Sequence, residues 1–517
     1  MLKHKKWIPI AVVVLFIQAV LEGFALFQVI RMNILPIKYL VIVFAVAAVL
    51  LLVTAVLLFS GLKHGPSRKR RARRVIAVIL AVVVGAGSGY VSWMVSRLGT
   101  SVDKVTSDED TLSAVIGVYV MKDDPAETLT DAKDYTFGIM SEFDQENTKN
   151  GLSQLNSEIG KDVETSEFSS VTESAQALYD DQVDAILINE AYASALEDIE
   201  GFENFGSETR LLAEFSVFSS EDSDNDASVS SGSGSQEQSS KENAANGVSD
   251  IVSKPFVVYI SGSDTRSEIL KTSRSDVNIL MAVNPTTKQI LLLNTPRDYY
   301  VDNPAGGGAK DKLTHCGLYG VDCSIQALEN LYSTDVNYYL QINFTGFENL
   351  IDSIGGITVT VPEDFSAGGF SFHKGEQQVN GEEALAFARE RHSFASGDRQ
   401  RGKNQMEVIR AVIEKITSGT TVLTNYSQIL NSLQDMMVTN ISSDEIAGLV
   451  KMQLGDNAKW SVSRYAVDGS GASKTTYSMP SVRAYVMIPD QETVDRGSAL
   501  LKKIMNGETI SEADVAD

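Results

Sequence analysis

Three long apolar runs open the chain, at residues 7–30, 37–59 and 75–95. Each run has about the twenty residues that a helix needs to cross a bilayer. The pattern therefore predicts three transmembrane helices within residues 1–98. The first run is the least apolar because it carries Gln18 and Glu22. A cleaved signal peptide is the alternative for that run, but no small-residue cleavage pattern precedes the second one.

Shorter apolar runs, separated by turn residues, fill the chain beyond residue 250. The runs 277–283 and 289–294 flank the turn residues 284–288, which predicts a β-hairpin. Stretches with helical periodicity alternate with further strand candidates up to residue 418. This alternation predicts a layered α-β-α domain with a mixed central sheet over residues 251–418. Residues 419–517 are expected to form a C-terminal extension packing on that domain.

A smaller α/β unit is predicted between the membrane helices and this domain. Within residues 111–218, the apolar runs 114–120 and 184–188 favour strands, and residues 174–179 favour a helix. We see no catalytic constellation there, so an accessory spacer or interaction domain is favoured over a second active site. Residues 219–250 are rich in Ser, Gly and acids, a composition typical of a disordered linker.

The distribution of charge predicts the orientation of the chain in the membrane. The first 100 positions hold 13 of the 44 Lys and Arg residues but only one of the 67 acids. Basic residues cluster before the first run and between the second and third, which places both segments in the cytoplasm. We therefore expect a multi-pass cell-membrane protein whose larger part is extracellular. That part is strongly acidic, which argues against nucleic acid as a partner.

The two cysteines, Cys316 and Cys323, lie seven positions apart in the predicted extracellular part. Disulfides persist in that environment, so a short-loop disulfide is the favoured interpretation. Two buried thiols are the alternative, because sequence does not reveal the Cα separation that a disulfide needs. The five histidines are scattered, and no Cys/His spacing typical of zinc is present.

Arginines interleaved with aspartates mark the candidate site. The segments are 273–276, 296–298, 388–391 and 398–401, each at the end of a predicted strand or helix. Guanidinium groups present forked donors that match phosphate oxygens in pairs. Carboxylates among them are expected if a divalent cation also binds, because such a cation takes hard oxygen ligands. The cluster therefore predicts a metal–pyrophosphate site, whereas each arginine taken alone is more often a surface residue in a weak ion pair.

The order of these motifs resembles the LytR–CpsA–Psr family, membrane-anchored proteins that ligate glycopolymers to the bacterial cell wall. The resemblance spans about residues 255–418. It is carried by the motifs Arg274-Ser-Asp276, Asn284-Pro, Pro296-Arg297-Asp298, 311–315 (DKLTH), 354–356 (IGG), 381–386 (GEEALA), Ala388-Arg389-Glu-Arg391 and Asp398…Arg401…Gln405. Three N-terminal spans followed by an accessory domain are similar to the capsule-type subgroup.

The resemblance implies a phosphotransferase that moves a glycopolymer from a polyprenyl-pyrophosphate carrier to a sugar hydroxyl of peptidoglycan. It implies Mg²⁺ (or Mn²⁺) bound by Asp264 and Asp276. The implied pyrophosphate-binding set is Arg297, Lys312, Arg389, Arg391, Arg401 and Gln405. Arg297, Arg389, Arg391 and Asp398 are the implied catalytic residues, with Asp398 orienting an arginine or acting as a base. The chain departs from the family at Asn404, where arginine is usual.

Three other functions are alternatives to this transferase. A pyrophosphatase would use the same site with water as the acceptor. A non-catalytic binder of lipid-linked glycan would keep the arginines but would not need both Asp264 and Asp276. A transcriptional attenuator is disfavoured by the membrane topology and the acidic charge. Which glycopolymer is transferred, whether teichoic acid, capsule or another wall polymer, is left open.

Overall fold

The structure is a computed structural model. It describes residues 7–59, 68–106, 112–142, 144–197, 199–218, 247–263, 274–418, 428–429, 433 and 436–515. The chain divides into two compact units. The first comprises residues 1–106, 415–434 and 441–459, and the second comprises residues 107–414, 435–440 and 460–517.

Three apolar helices begin the first unit, as the sequence predicts. They are α1 (Trp7–Arg31), α2 (Ile37–Phe59) and α3 (Arg68–Thr106). Each contains a stretch long and apolar enough to cross a membrane, which in α3 covers Arg71–Ser96. Ala11, Leu58 and Ala77 are buried where the three helices pack together.

The accessory region forms a five-stranded mixed sheet with helices. Its elements are β1 (Leu112–Met121), β2 (Thr136–Met140), α4 (Gln145–Ile159), β3 (Glu164–Phe168), α5 (Val171–Tyr179), β4 (Ala185–Asn189), α6 (Glu190–Leu196), α7 (Phe205–Glu208) and β5 (Thr209–Phe218). The strand order is β3-β2-β4-β1-β5, with β1 antiparallel to both of its neighbours. The strands and the helix predicted from the apolar pattern are confirmed. The predicted linker lies mostly on residues 219–246, outside the described residues.

A six-stranded mixed sheet organises the predicted catalytic domain. Its first strands are β6 (Phe256–Ser263), β7 (Val277–Asn284) and β8 (Gln289–Asn294). The predicted hairpin is confirmed: β7 and β8 are antiparallel, Asn284 pairs with Gln289, and Lys288 takes up the turn at φ 56°. Nearly every residue of these three strands is buried. Both faces of the sheet are therefore covered, as in α/β layered folds.

Helices and small hairpins surround this sheet. They are β9 (Tyr300–Asn303), β10 (Ala309–Lys312), α8 (Leu313–Cys316), α9 (Val321–Tyr332), α10 (Phe344–Ser353), β12 (Ile357–Val361), β13 (Phe365–Ala367), β14 (Phe370–Phe372), β15 (Gly375–Val379), α11 (Gly381–Arg389) and α12 (Asp398–Thr417). The strand β11 (Tyr338–Asn343) joins the large sheet itself, parallel to β6. Asn380 and Glu383 form the predicted capping box of α11. The capping box satisfies backbone N–H groups that the first turn leaves without partners.

Two strands of the large sheet come from beyond residue 418. The C-terminal elements are β16 (Met437–Thr439), α13 (Ser443–Asp456), β17 (Ser461–Ala466), β18 (Gly469–Lys474), β19 (Ala484–Pro489), α14 (Gln491–Met505) and α15 (Glu512–Val515). The order β16-β11-β6-β7-β8-β17 puts β16 and β17 at the two edges. The region predicted as a packed extension thus supplies both edge strands, so the sheet does not end at residue 418.

The accessory sheet and the catalytic region share a hydrophobic core within the second unit. Residues of α5 and α6, among them Tyr192, are buried together with Leu318 and Met479. Burial of such side chains stabilises the folded state by about 1.5–3 kcal/mol each. The two regions are therefore joined by packing as well as by the chain.

The predicted disulfide is corrected by the structure, because Cys316 and Cys323 are free thiols and both are buried. They belong to the main core of the sheet domain. The Cys323 thiol donates to Asn303 Oδ1 at 3.3 Å. A hydrogen bond that the Cys316 thiol donates to Cys323, together with burial, raises the pKa of Cys316 well above its ordinary value. The alternative of two buried thiols is the one that the structure contains.

Candidate functional site

Three segments meet at the end of the central strands and form the base of the candidate site. The loop before β7 is fixed by the Asp276 amide, which donates to the Gly262 carbonyl at 2.9 Å. The loop after β8 is tied to α8, since the Thr314 amide donates to the carbonyl of Arg297 at 2.9 Å. Pro296, with its fixed φ, turns the chain out of β8. Backbone hydrogen bonds therefore hold the side chains of these loops in place.

Arg297 is at the centre of a buried network of charged groups. Its Nη1 lies 2.9 Å from Asp276 Oδ1, and its Nε lies 3.8 Å from Asp298 Oδ2. Asp298 Oδ1 lies in turn 3.1 Å from Lys312 Nζ. The side chains of Arg297 and Lys312 are 7% and 3% exposed, so water screens these pairs weakly. Residues separated in sequence are thus brought together as the motifs predict.

The lowered pKa of Asp276 shows that this network favours negative charge. Burial by itself would raise the pKa of Asp276. The positive charges of Arg297, Arg274 and Arg401 outweigh that effect and hold the pKa below its ordinary value. A carboxylate in this position stays ionised, and a phosphate in its vicinity would meet the same surplus of positive charge.

The start of α12 adds a second ion pair to the network. Arg401 Nη2 lies 2.5 Å from Asp398 Oδ1. Burial raises the pKa of Asp398, with an added contribution from the negative charge of Asp298, although the charges of Arg401, Arg297 and Arg391 oppose the shift. Asp398 is therefore more basic than an ordinary aspartate and is suited to accept a proton.

Gly402 allows α12 to approach the end of β8. A Cβ at this position would lie 2.3 Å from Asn294 Nδ2, far inside van der Waals contact. Only glycine fits this approach without a shift of the helix or of Asn294. The absence of a side chain at Gly402 therefore allows the positive charge of its neighbour Arg401 to lie close to Asp276 and Asp398, where it acts to lower the pKa of both carboxyl groups.

The other predicted residues are placed as follows. Gln405 is buried one turn along α12 from Arg401. The Arg389 guanidinium lies 4.5 Å from the centre of the Phe344 ring in a cation–π contact. Among the described residues, no hydrogen bond or ion pair joins Arg389 to the acids of the network. Asp264 lies outside the described residues.

Asn404, where the chain departs from the family pattern, has a structural role. Its Nδ2 donates to the Phe387 carbonyl at 3.2 Å, and its Oδ1 accepts from Gln400 at 2.9 Å. The side chain is almost fully buried. Asn404 thus fastens α12 to α11.

Asp311, in the motif 311–315, was not predicted as a site residue. The structure places this fully buried carboxylate 2.7 Å from His315 Nδ1. It also accepts from Ser478 Oγ at 2.5 Å and from Asn303 Nδ2 at 3.1 Å. Burial by itself would raise the pKa of Asp311, but His315 and these hydrogen bonds hold it below its ordinary value. The i, i+4 spacing of an acid and a histidine next to Lys312 was the available sequence signal.

The β18–β19 hairpin was also missed, and it lies directly beside the site. The Met487 amide donates to the carbonyl of Asp298 at 2.7 Å. Arg399, two positions before Arg401, forms an ion pair with Asp468 at 2.8 Å. Asp468 is the residue immediately before β18. No local motif predicts a contact between residues so far apart in sequence.

Comparison with known proteins assigns this arrangement to a family. The sequence profile of the LytR_cpsA_psr family matches residues 222–495, more than half of the chain. The chain belongs to the LytR–CpsA–Psr family. The Arg297 network, Lys312 and the start of α12 all fall within the matched segment.

Named relatives in the family include teichoic acid transferases. The polyisoprenyl-teichoic acid–peptidoglycan teichoic acid transferase TagU of Enterococcus faecalis is 36% identical over 195 residues, covering 37% of this chain and 64% of that protein. TagU of Bacillus mycoides is 34% identical over 200 residues, covering 38% and 64%. The chain thus spans just under two-thirds of the length of these curated relatives. The crystal structure of B. subtilis TagV covers 50% of this chain and 99% of that chain, with 27% identity and a TM-score of 0.41.

The donors that the structure describes fit the predicted metal site only in part. Asp276 offers the hard, ionised oxygen that Mg²⁺ prefers, although its Oδ1 already contacts Arg297. Within the described residues, no group of three or more His, Cys, Asp or Glu side chains converges to hold a metal ion. Asp276 is therefore suited to be one ligand, and a further ligand must come from elsewhere.

Proposed function

We propose that this protein transfers a glycopolymer from a polyprenyl-pyrophosphate carrier to a sugar hydroxyl of peptidoglycan. The observation that carries the proposal is the buried network in which Arg297, Lys312 and Arg401 converge on the ends of the central strands. Such a network matches a diphosphate, whose oxygens need several fixed cationic donors. Membership in a family with named teichoic acid transferases supports the same activity.

The proposed chemistry is a phosphoryl transfer at the phosphate bonded to the glycopolymer. The acceptor hydroxyl oxygen forms a bond to phosphorus, and Asp398 takes the hydroxyl proton. The bond from phosphorus to the bridging oxygen breaks, and polyprenyl phosphate leaves with the electron pair. Arg297, Arg401 and Lys312 orient the phosphates and stabilise the charge that spreads over their oxygens. The product is a phosphodiester between glycopolymer and peptidoglycan.

We also propose that Mg²⁺ or Mn²⁺ assists, held by Asp276 together with Asp264. The depressed pKa of Asp276 supports this role, because a metal ligand must be ionised. When bound, the ion would neutralise charge on the diphosphate oxygens. Chelation with EDTA is then expected to stop transfer, and addition of Mg²⁺ is expected to restore it. Undiminished turnover in EDTA would remove the metal from the mechanism.

The test of the function uses the full-length protein in lipid nanodiscs. A synthetic polyprenyl-pyrophosphate glycan and soluble peptidoglycan fragments are added, and the products are identified by mass spectrometry. We expect a phosphodiester-linked adduct. Free glycan phosphate without adduct would instead indicate a pyrophosphatase, and an unchanged donor would indicate a binding protein. For variants of the site arginines, R410Q is a suitable control. Arg410 is also a partly buried arginine that pairs with an acid, Glu407.

We further propose that the second unit is extracellular. In the first unit, Lys451 of α13 donates to Asn33 Oδ1 at 2.8 Å, and Lys38 donates to the Gly455 carbonyl at 2.8 Å. Asn33 and Lys38 flank the short connection between α1 and α2. Because basic residues place the N-terminus in the cytoplasm, that connection faces outward. These contacts support the placement of α13, in the C-terminal part of the chain, on the same, outer side of the membrane.

A further inference from the structure

The β18–β19 hairpin is fixed to the proposed active site from two sides. The Met487 amide bonds to the Asp298 carbonyl at 2.7 Å, and Tyr299 forms a parallel β-bridge with Met487. The Arg399–Asp468 pair, at 2.8 Å, ties the residue before β18 to α12. The hairpin is therefore a fixed wall beside Asp298 and the start of α12.

Tyr485 projects from this wall into solvent. Its side chain is 52% exposed, while its neighbours Ala484 and Val486 on β19 are buried. Among the described residues after α3, Leu211 is the other large apolar side chain with such exposure. Tyr485 lies two positions from Met487, which is about 7 Å along a strand. An exposed aromatic ring is thus held within reach of the site.

The local structure gives the ring a fixed orientation. A Cβ on Gly471 of β18 would lie 2.9 Å from Tyr485 Cε2, so the ring lies against bare backbone. Ser473 pairs directly with Tyr485 across the hairpin, and its exposed side chain therefore lies on the same face. Partial burial, followed by the negative charges of Asp298 and Asp398, raises the pKa of Tyr485. The hydroxyl thus stays neutral and can donate a hydrogen bond.

We infer that Tyr485 is the platform of an acceptor subsite, on which a pyranose ring of peptidoglycan stacks beside Asp298 and Asp398. This inference rests on the proposed function. A tyrosine ring offers a flat apolar face and a polar tip at low entropic cost. A pyranose has the matching form, with C–H groups on its face and hydroxyls at its rim. The Ser473 hydroxyl is placed to bond that rim.

The surroundings of Tyr485 favour a sugar over the prenyl tail of the donor. β18 has the sequence GSGASK, and its exposed positions are Gly, Ser and Lys. A prenyl chain needs a continuous apolar groove, because its affinity comes from the apolar area that it buries. A single aromatic ring among hydroxyls does not provide such a groove.

The test measures acceptor binding and catalysis separately in full-length protein. The probe is the disaccharide of N-acetylglucosamine and N-acetylmuramic acid, followed by saturation-transfer NMR in nanodiscs. We expect Y485A to weaken disaccharide binding, and to raise the acceptor KM, by about tenfold. Y485F and Y485W should retain most of the binding because they keep a ring. L211A is the control, since Leu211 is similarly exposed but lies in the accessory sheet.

The donor provides the readout that separates a subsite from a structural role. Y485A is expected to leave the donor KM within about twofold of wild type, because the diphosphate is held elsewhere. An equal rise in donor and acceptor KM, or unchanged disaccharide binding by Y485A, would overturn the inference. So would a wild-type protein that does not bind the disaccharide. Tyr485-dependent binding without any transfer product would support the subsite while refuting the proposed transferase.

Discussion

At the scale of single residues, the Arg297–Asp276 pair combines a buried ion pair with the proposed binding of phosphate. Both side chains are largely buried and lie 2.9 Å apart. Removing one member of such a pair leaves the other charge without compensation. We expect R297A to lower the free energy of unfolding by about 3–5 kcal/mol and to reduce transfer by about 100-fold or more. Chemical denaturation and the mass-spectrometric assay measure the two effects.

The double variant D276N/R297Q separates these effects. Replacing both charges with neutral amides removes the unpaired carboxylate, so much of the lost stability should return. Transfer should not return, because the phosphate loses its cationic donor and the proposed metal loses its ligand Asp276. Recovery of transfer in the double variant would show that Arg297 acts only by supporting the fold.

Asp398 predicts a dependence of transfer on pH. Its pKa is raised, so the carboxylate loses its proton at a higher pH than an ordinary aspartate. A base works only when ionised, and the rate is therefore expected to rise as the pH passes upward through this pKa and then to level off. The free energy of unfolding changes in the opposite direction. Because Asp398 binds its proton more tightly in the folded state than in the unfolded state, the folded protein loses stability as the pH rises through the same pKa.

The variant D398N tests this role through the shape of the pH profile. We expect it to lose the acidic limb as well as most of the rate, while donor binding persists. A pH–rate profile of D398N that retains the wild-type limb would assign the titration to another group. Donor affinity, measured in parallel by calorimetry, checks that the network still binds diphosphate.

At the scale of elements, the close packing of α12 on β8 positions two members of the network, Asp398 and Arg401. G402A would bring a Cβ to within 2.3 Å of Asn294 Nδ2. We expect a stability loss of about 1–3 kcal/mol from the forced shift, together with slower transfer as Arg401 is displaced. Shortening the neighbour in G402A/N294S should recover part of both. G455A is the matched control, because a Cβ at that helical glycine meets no atom within 4 Å.

Local sequence signals predicted the elements and much of the site. The hairpin β7–β8 followed from turn residues between apolar runs, and Arg297 was correctly placed because Pro296 marks the end of β8. The position of the Arg389 guanidinium over Phe344 was not predictable. It depends on how α11 packs against α10, which no residue of either helix encodes alone. The hairpin contact between Met487 and Asp298 was missed for the same reason.

The cysteines illustrate a second limit of sequence reasoning. Spacing and an extracellular location were compatible with a disulfide, but they do not specify how the two side chains face each other. In the structure Cys316 and Cys323 are part of the main core. Their thiols are accommodated by burial and by hydrogen bonds to Lys312 and Asn303. Burial of the two thiols, rather than a covalent bond between them, stabilises this part of the core.

At the scale of the whole molecule, a chain of polar contacts links the accessory sheet to the site. Tyr192 shares a hydrogen bond with Tyr319, and Tyr319 bonds to Ser478 at 3.1 Å. Ser478 bonds to the buried Asp311, whose carboxylate also accepts from the Lys312 amide at 2.8 Å. These contacts connect α6 of the accessory region to Lys312, which pairs with Asp298.

We expect S478A to weaken this link without disturbing the shared hydrophobic core. The free energy of unfolding should fall by about 1–2 kcal/mol, because Asp311 loses a buried donor. The donor KM should rise several-fold as Lys312 loses its fixed position, and kcat should change less. S481A serves as the control, since Ser481 bonds to Ser170 at 3.2 Å and does not contact Asp311. Equal donor KM values for both variants would argue against the link.

The parallel pairing of β17 with β8 has a consequence for how the protein matures. Ser461 to Ala466 align with Gln289 to Asn294, the strand that leads into Arg297. During synthesis, β8 is an open, apolar edge until residues 461–466 are available to pair with it. Such edges pair readily with other chains. The large sheet therefore closes beside β8 only after residues 461–466 have been made, and the strand that leads into Arg297 gains its outer neighbour late in synthesis.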